Sequence, residues 1–337
     1  MIDTHEFTKE EEIATLMMGK PHLVILGAGA SLAAFPKGEK SNKRIPLMND
    51  LVTVLGIQKE LETHEINTKL NFENIFSDIY GNERYSKLIE VIETKIHSYF
   101  SNLELPNYPT VYDHLVLSLR EKDLIATFNW DPFLYYACWR NHEKAKLPQI
   151  LYLHGNSVVG YCLKDKTMGY VRSKCSKCGN NFTPSRLLYP VKNKNYTADP
   201  FIHSQWKILQ NYLKNAFMVT IFGYSAPRTD IAAYNLMKSA WGNVQNRDME
   251  QFEIVDIKDD KELRKTWGNF IHTHHYETHK SFYDSWIANH PRRTGEAYWA
   301  QYCEAQFVDT NPIPQTDNFS DLYNWMKPLI DAETNNK

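Results

Sequence analysis

The sequence lacks three features, each of which would have indicated a class of protein. No apolar run reaches the length of about 20 residues that a membrane-spanning helix needs, so we expect no membrane association. Positive charge is not in excess, because 38 lysines and arginines stand against 40 aspartates and glutamates, and direct nucleic-acid binding is therefore not expected. Cysteine is scarce and odd in number, at five, which argues against a disulfide framework and favours a cytoplasmic protein.

Short apolar runs separated by helical patterns predict the fold class. The runs occupy 22–26, 123–127, 150–153, 217–222 and 252–257, and each ends at a polar or glycine-containing turn. Helical patterns at 131–142, 199–215 and 229–240 alternate with these runs. Strands that alternate with helices predict an α/β fold, with a Rossmann-like, doubly wound and mostly parallel sheet.

A chain of 337 residues suits one large domain with insertions. We expect the core to comprise 20–35, 111–155 and 199–260. A helical insertion fills 36–110, and a small cysteine-containing insertion fills 156–198. A C-terminal helical extension covers 261–337, with helices near 278–290 and 319–331.

Glycine and polar residues follow the predicted strands, where doubly wound sheets bind ligands. The turn Gly27-Ala-Gly-Ala-Ser31 would let backbone N–H groups approach a phosphate, although Leu32 replaces the third glycine of the dinucleotide fingerprint. A tight turn without a ligand is the alternative. A second turn, Gly223-Tyr-Ser225, precedes Thr229 and Asp230, one of which we expect to cap the next helix.

Two strand ends carry residues suited to catalysis. Asn129 and Asp131 stand two apart after a strand, so in an extended segment both side chains face one pocket. Asp131 also precedes Pro132, which makes a helix cap an alternative role for it. His154 ends the next strand and is a candidate general base, although isolated histidines are more often structural.

Two clusters of metal-ligand residues lie outside these turns. Cys175-x-x-Cys178 resembles half of a zinc ribbon, and Cys162 lies nearby. Three thiolates with an unidentified fourth ligand would hold zinc; a loop that has lost its metal is the alternative. The histidines at 272, 274, 275 and 279 lack the glutamate of a zinc-protease motif, so we expect a solvated surface or an oligomer contact.

In order and spacing, these motifs together resemble the sirtuin superfamily. The match spans roughly 22–260, and it resembles most closely the sirtuin-like domains of bacterial anti-phage defence proteins. The resemblance implies catalytic roles for Asn129 and His154. It assigns the remaining motif residues to NAD⁺. Gly27, Ala28, Gly29 and Ser31 are expected at the phosphates, Asp131 and Ser225 at the ribose, and Asp256 on the adenosine side. Gly223 is expected among the cofactor-binding residues.

The resemblance also implies a function. We expect an NAD⁺ hydrolase that cleaves the nicotinamide–ribose bond and is regulated by homo-oligomerisation or a protein partner. An NAD-dependent protein deacylase and a non-enzymatic sensor of NAD⁺ or ADP-ribose are the alternatives. The single complete cysteine pair is a departure from the deacylases, whose zinc module has two pairs.

Overall fold

The computed structural model describes residues 6–191, 194–247, 249–272 and 274–335. Its centre is a six-stranded sheet in the order β10-β9-β8-β2-β3-β4, and every neighbouring pair in it is parallel. The six strands are β2 (His22–Leu26), β3 (Leu124–Thr127), β4 (Gln149–Tyr152), β8 (Met218–Phe222), β9 (Gln251–Val255) and β10 (Tyr276–His279). The predicted parallel sheet is therefore confirmed.

Helices cover both faces of this sheet. Alternate residues of β2 show this directly, because Val24 and Leu26 enter one hydrophobic core while Leu23 and Ile25 enter a second one. The first core is completed by α2 (Ala28–Ala34), α3 (Leu51–Leu55), α4 (Gln58–Thr63), α5 (Phe72–Ile79), α6 (Ser86–Ser101), α7 (Val111–Leu117), α8 (Phe133–Asn141) and α14 (Phe319–Asn335). The second is completed by α9 (Pro200–Asn215), α10 (Ile231–Trp241) and α11 (Asp260–Trp267). Packing on both faces confirms the doubly wound architecture.

The remaining elements are small. The cysteine-containing segment forms a three-stranded antiparallel sheet from β5 (Val159–Tyr161), β6 (Met168–Tyr170) and β7 (Thr183–Pro184). Near the chain ends, β1 (Glu6–Phe7) pairs with β11 (Phe307–Val308), and α1 (Lys9–Ala14), α12 (Trp286–Asn289) and α13 (Thr294–Tyr302) are short helices. Among the helices of the described residues, none has the length and apolar character that crossing a membrane would require.

The helix predicted near 278–290 is wrong. The edge strand β10 extends to His279, a short 3-10 helix covers Phe282–Asp284, and only Trp286–Asn289 is α-helical. The backbone of β10 pairs along its whole length with β9, so its ladder hydrogen bonds replace the helical ones. The sheet therefore takes its last strand from the segment that the sequence assigned to a helical extension.

A row of polar side chains runs across the strands β8, β9 and β10. Glu253 is fully buried in β9, and its carboxylate accepts hydrogen bonds from Thr220 Oγ1 and the Trp286 N–H, each at 2.7 Å. His279 Nε2 lies 3.3 Å from carboxylate oxygens of both Glu253 and Glu277. Burial opposes the charge on His279, but the two carboxylates raise its pKa to about 10. Glu253, Glu277 and His279 thus form a charged triad, in which Glu253 is fully buried and the other two side chains are partly exposed.

Candidate functional site

The order of the sheet places the candidate site. The chain runs from β2 through β3 to β4 on one side, then returns to β8 on the other side of β2. The carboxyl ends of β2, β3 and β8 therefore surround a topological switch point, where open α/β sheets bind ligands. The turns that follow these strands are the ones that the sequence singled out.

Glycines let two of these turns touch. The Gly27 and Gly29 N–H groups donate to the carbonyls of Phe222 and Gly223, both at 3.0 Å. A Cβ on Gly29 would lie 2.8 Å from Gly223 Cα, and a Cβ on Gly223 would lie 2.2 Å from Ala30 N. Gly223 also has a φ of +62°, which side chains rarely adopt. Backbone packing thus explains these three glycines, and their predicted contacts with NAD⁺ stay predictions.

Asn129 and Ser31 belong to a buried hydrogen-bonded group that we call the Asn129 cluster, made of Ser31, Tyr112, Asn129 and Asp131. Asn129 Nδ2 donates to Gly27 O at 2.9 Å, and lies 3.1 Å from Ser31 Oγ and 3.3 Å from Tyr112 OH. Ser31 Oγ donates to Asp131 Oδ2 at 2.7 Å. The ends of β2 and β3 are thereby joined by side chains as well as by the sheet.

Asp131 contacts both the Asn129 cluster and the first turn of α8, although Pro132 and not Asp131 holds the N-cap position. Its Oδ1 accepts the Phe133 N–H at 3.3 Å at the start of α8, while its Oδ2 accepts from Ser31. Only 4% of its surface is exposed. Burial raises the pKa of Asp131 to about 6, although the hydrogen bonds from Ser31 and Phe133 oppose the shift. A carboxyl group poised near neutrality therefore lies inside the candidate site.

His154 lies after β4, with its ring enclosed by aromatic side chains. Phe128 meets it edge-on, with ring centroids 4.8 Å apart, and Tyr196 stacks on it with its hydroxyl 3.1 Å from His154 Nε2. Burial and the nearby Lys194 ammonium lower the pKa of His154 to about 3, against the opposing charge of Asp230. The imidazole is therefore neutral at physiological pH, but in this closed environment it is a weak base.

An ion pair covers this histidine. The ammonium of Lys194 contacts the Asp230 carboxylate, and both side chains are at least nine-tenths buried. Tyr224 OH donates to the other Asp230 oxygen at 3.2 Å. Asp230 occupies the position before α10 as predicted, yet its side chain makes no capping hydrogen bond. Sequence reasoning found neither Lys194 nor Tyr196, because nothing in the local pattern shows that a chain returning from the cysteine-containing insertion packs on His154.

Other predicted residues lie at the same edge of the sheet but outside the Asn129 cluster. Ala28 is exposed at the tip of its turn, and Ser225 is exposed after β8. Asp256 is half-buried one residue beyond β9, where its Oδ1 accepts the Lys258 N–H at 3.0 Å. No hydrogen bond within the described ranges links Ser225 or Asp256 to the cluster. Their predicted contacts with NAD⁺ remain predictions.

The three predicted metal ligands come together with a fourth. Donor atoms of Cys162, Asp165, Cys175 and Cys178 all lie within 4.8 Å of one another. The Cys162 and Cys178 sulfurs are 3.5 Å apart, and Cys175 Sγ is 3.2 Å from Asp165 Oδ2. Sulfur ligands of a tetrahedral zinc ion lie about 3.8 Å apart, given Zn–S bonds of about 2.3 Å. The donor set and its spacing fit Zn²⁺.

Asp165 is the candidate ligand that the sequence analysis missed. Its signal was present, because Cys162-x-x-Asp165 repeats the spacing of Cys175-x-x-Cys178 with a carboxylate in the last place. The cysteine-containing segment is tied to a catalytic candidate beyond these four donors, where the Leu188 N–H donates to His154 O at 2.9 Å. A bound metal would therefore stabilise a segment that starts and ends beside His154.

The histidine cluster is not the solvated surface that the sequence predicted. His275 is buried, and its Nδ1 lies 2.9 Å from the hydroxyl of Tyr298. His279 lies on β10 within the charged triad, so no helix aligns these two residues. For His275 and His279 the prediction of a solvated surface is wrong, because His275 is buried against Tyr298 and His279 contacts the carboxylates of Glu253 and Glu277.

Comparison with known proteins gives only distant matches. No protein-family model matches the chain, and no curated protein matches it. The chain is similar to solved Sir2 structures. A Sir2 homologue in complex with NAD is 14% identical with a TM-score of 0.40, and covers 86% of this chain and 89% of its own. A mutant Sir2 homologue with ADP-ribose is 12% identical with a TM-score of 0.39 over 96% of both chains. Similarity at this distance assigns neither residues nor activity to this chain.

Proposed function

We propose that this protein binds NAD⁺ at the switch point and hydrolyses its nicotinamide–ribose bond. The observation that carries the proposal is the Asn129 cluster, which gathers Asn129, Ser31 and Asp131 at the carboxyl ends of β2 and β3. The sirtuin resemblance gave Asn129 a catalytic role and assigned Ser31 and Asp131 to contacts with NAD⁺. His154 follows the neighbouring strand, and its neutral imidazole is the form that a general base needs.

In the proposed reaction the leaving group needs no acid catalyst from the protein. Nicotinamide departs from NAD⁺ with the electron pair of the broken glycosidic bond, and it needs no protonation. Water supplies the oxygen that joins the ribose carbon, and His154 accepts the proton that the water loses. Asn129 orients this water or a ribose hydroxyl. Positioning and one general base each contribute about 10²-fold or more to the rate.

Access to His154 requires a movement. Its ring is covered by Tyr196 and by the Lys194–Asp230 ion pair, so NAD⁺ reaches it only when these side chains are displaced. Displacement would also remove the ammonium that lowers the pKa of His154 and would admit water, and both changes make it a better base. The closed arrangement is thus an inactive state of the proposed enzyme.

An inactive state suits the role that the resemblance suggests. Uncontrolled cleavage of NAD⁺ would harm the cell that makes the enzyme. We propose an NAD⁺-depleting effector of anti-phage defence, in which homo-oligomerisation or a protein partner favours the open state. The predicted zinc has a structural part, since it would order the segment that carries Cys162 to Cys178 between His154 and Lys194.

One observation favours a second candidate function. A histidine whose pKa is lowered to about 3 is a weak base, which is compatible with a module that binds NAD⁺ or ADP-ribose without turnover. Such a sensor would need the phosphate and ribose contacts but not the basicity of His154. The two candidates differ in turnover, not in binding.

The deciding experiment is nicotinamide release from NAD⁺ by the purified chain, beside His154→Ala and Asn129→Ala. We expect release by the wild-type protein and a loss of at least 100-fold in each variant. His97→Ala is the matched control, because His97 is exposed on α6, and it should retain full activity. Full activity in both site variants would refute the mechanism. Tight binding of NAD⁺ without release would support the sensor.

A further inference from the structure

Tyr112 is the one member of the Asn129 cluster that the proposed mechanism does not use. It lies on α7, is 2% exposed, and places its hydroxyl 2.7 Å from Ser31 Oγ. Burial raises the pKa of this phenol well above its ordinary value, so the hydroxyl keeps its proton. A buried hydroxyl between two polar neighbours has a definite hydrogen-bonding direction, and this direction can be worked out.

The ionised Asp131 carboxylate fixes that direction. A carboxylate only accepts hydrogen bonds, so the Ser31 hydroxyl donates its single proton to Asp131. Ser31 Oγ then accepts from its other neighbours, which makes Tyr112 the donor in the 2.7 Å contact. With its proton committed to Ser31, Tyr112 OH presents only lone pairs to Asn129, at 3.3 Å.

Every group around one end of the Asn129 amide is therefore an acceptor. Ser31 Oγ, Tyr112 OH and Gly27 O all face Nδ2, and only an NH₂ group satisfies them. A flipped amide would place its carbonyl oxygen against the Gly27 carbonyl. The amide thus has one favoured orientation, in which Oδ1 points away from the cluster and has no hydrogen-bond partner among the described residues.

We propose that Tyr112 is a positioning residue, which acts with Ser31 to hold Asn129 with its Oδ1 presented to the substrate. In this orientation Asn129 accepts a hydrogen bond from the attacking water or a ribose hydroxyl, and it does not donate. The role in turnover rests on the proposed hydrolase function. The orientation itself does not, so the two are tested by separate measurements.

The test compares Tyr112→Phe with Tyr298→Phe. Each substitution removes one buried phenol hydroxyl from a hydrogen bond, and the Tyr298 hydroxyl bonds to His275, away from the switch point. The first measurement is the hydrogen-exchange rate of the Asn129 side-chain NH₂, by NMR of protein labelled with ¹⁵N-asparagine and assigned through Asn129→Ala. We expect exchange at least 10-fold faster in Tyr112→Phe and unchanged in Tyr298→Phe.

The second measurement is nicotinamide release. We expect Tyr112→Phe to lower kcat by about 10-fold while KM changes less than twofold, because a misoriented group slows the chemical step. Should Tyr112→Phe fold poorly, Ser31→Ala removes another acceptor from the Asn129 NH₂ group and must speed the exchange of that amide in the same way.

Unchanged exchange of the Asn129 amide in Tyr112→Phe would overturn the positioning role, whether or not NAD⁺ is cleaved. Faster exchange with an unchanged kcat would overturn the role in turnover. Faster exchange in Tyr112→Phe, together with no nicotinamide release by the wild-type protein, would uphold the orientation of Asn129 and refute the hydrolase function instead.

Discussion

Replacing Asp131 with asparagine should make the protein more stable at neutral pH. Burial raises the pKa of this carboxyl from 3.8 to about 6, so folding disfavours its ionised form. At about 1.4 kcal/mol per pKa unit, the ionised group costs about 3 kcal/mol of folding free energy at pH 7.5. Asparagine carries no charge, but it gives up one acceptor for the Phe133 N–H, which offsets about 1 kcal/mol. The net gain is about 2 kcal/mol.

The pH dependence gives the prediction its sign. Because the pKa is higher in the folded state, the penalty is full above pH 6 and disappears as the pH falls towards 3.8. The penalty at pH 5 is about half that at pH 7.5. The assay is urea unfolding of the wild-type protein and Asp131→Asn at both pH values. The advantage of the variant should fall by about 1.5 kcal/mol between pH 7.5 and pH 5.

Asp123→Asn provides a control of opposite sign. Asp123 is equally buried, but Lys122 and the backbone N–H groups of His22 and Arg120 overcome the effect of burial and lower its pKa. Its removal should destabilise the protein at both pH values. A less stable Asp131→Asn at pH 7.5, or an advantage that does not change with pH, would refute the reasoning. A more stable variant with weaker NAD⁺ binding would identify Asp131 as a residue whose site role opposes stability.

Three further outcomes are expected. Lys194→Met removes the ion pair that covers His154, so nicotinamide release should rise several-fold; an unchanged or lower initial rate would argue against the closed state as inactive. Gly223→Ala should lower the free energy of unfolding by at least 2 kcal/mol more than Gly56→Ala in urea, because both glycines have positive φ but only Gly223 touches backbone. The purified protein should contain one Zn²⁺ by metal analysis, with affinity at least 10-fold lower in Asp165→Asn; equal affinity would exclude the carboxylate as a ligand.

The sequence predicts the centre of the sheet well, because strands buried on both faces read as continuous apolar runs. The runs at 22–26 and 217–222 correspond to β2 and β8 almost residue for residue. The edge strand β10 gives no such signal. Its sequence, Tyr-Glu-Thr-His, is polar because its partners are the buried carboxylate of Glu253 and the indole of Trp286, and these contacts are not visible along the chain.

The residues of the candidate site likewise include some that the sequence predicts and others that it does not. Ser31, Asn129 and Asp131 were predictable as a group, because parallel strands bring their carboxyl ends to one edge. Tyr112 was not, since it precedes β3 on a helix whose packing against α2 is a tertiary event. Asp165 was only partly predictable. Its spacing from Cys162 repeats that of the cysteine pair, but an aspartate near a cysteine is far more often a surface residue than a metal ligand.

The charged triad of Glu253, Glu277 and His279 has a consequence for how β10 pairs with β9 during folding. A one-residue slip of β10 against β9 would move Glu277 and His279 to the opposite face of the strand and leave the Glu253 carboxylate buried without its counter-ion. An apolar edge strand would tolerate such a slip far better. The charged triad therefore specifies the register of β10 against β9, because alignments shifted by one residue would lose these ion pairs.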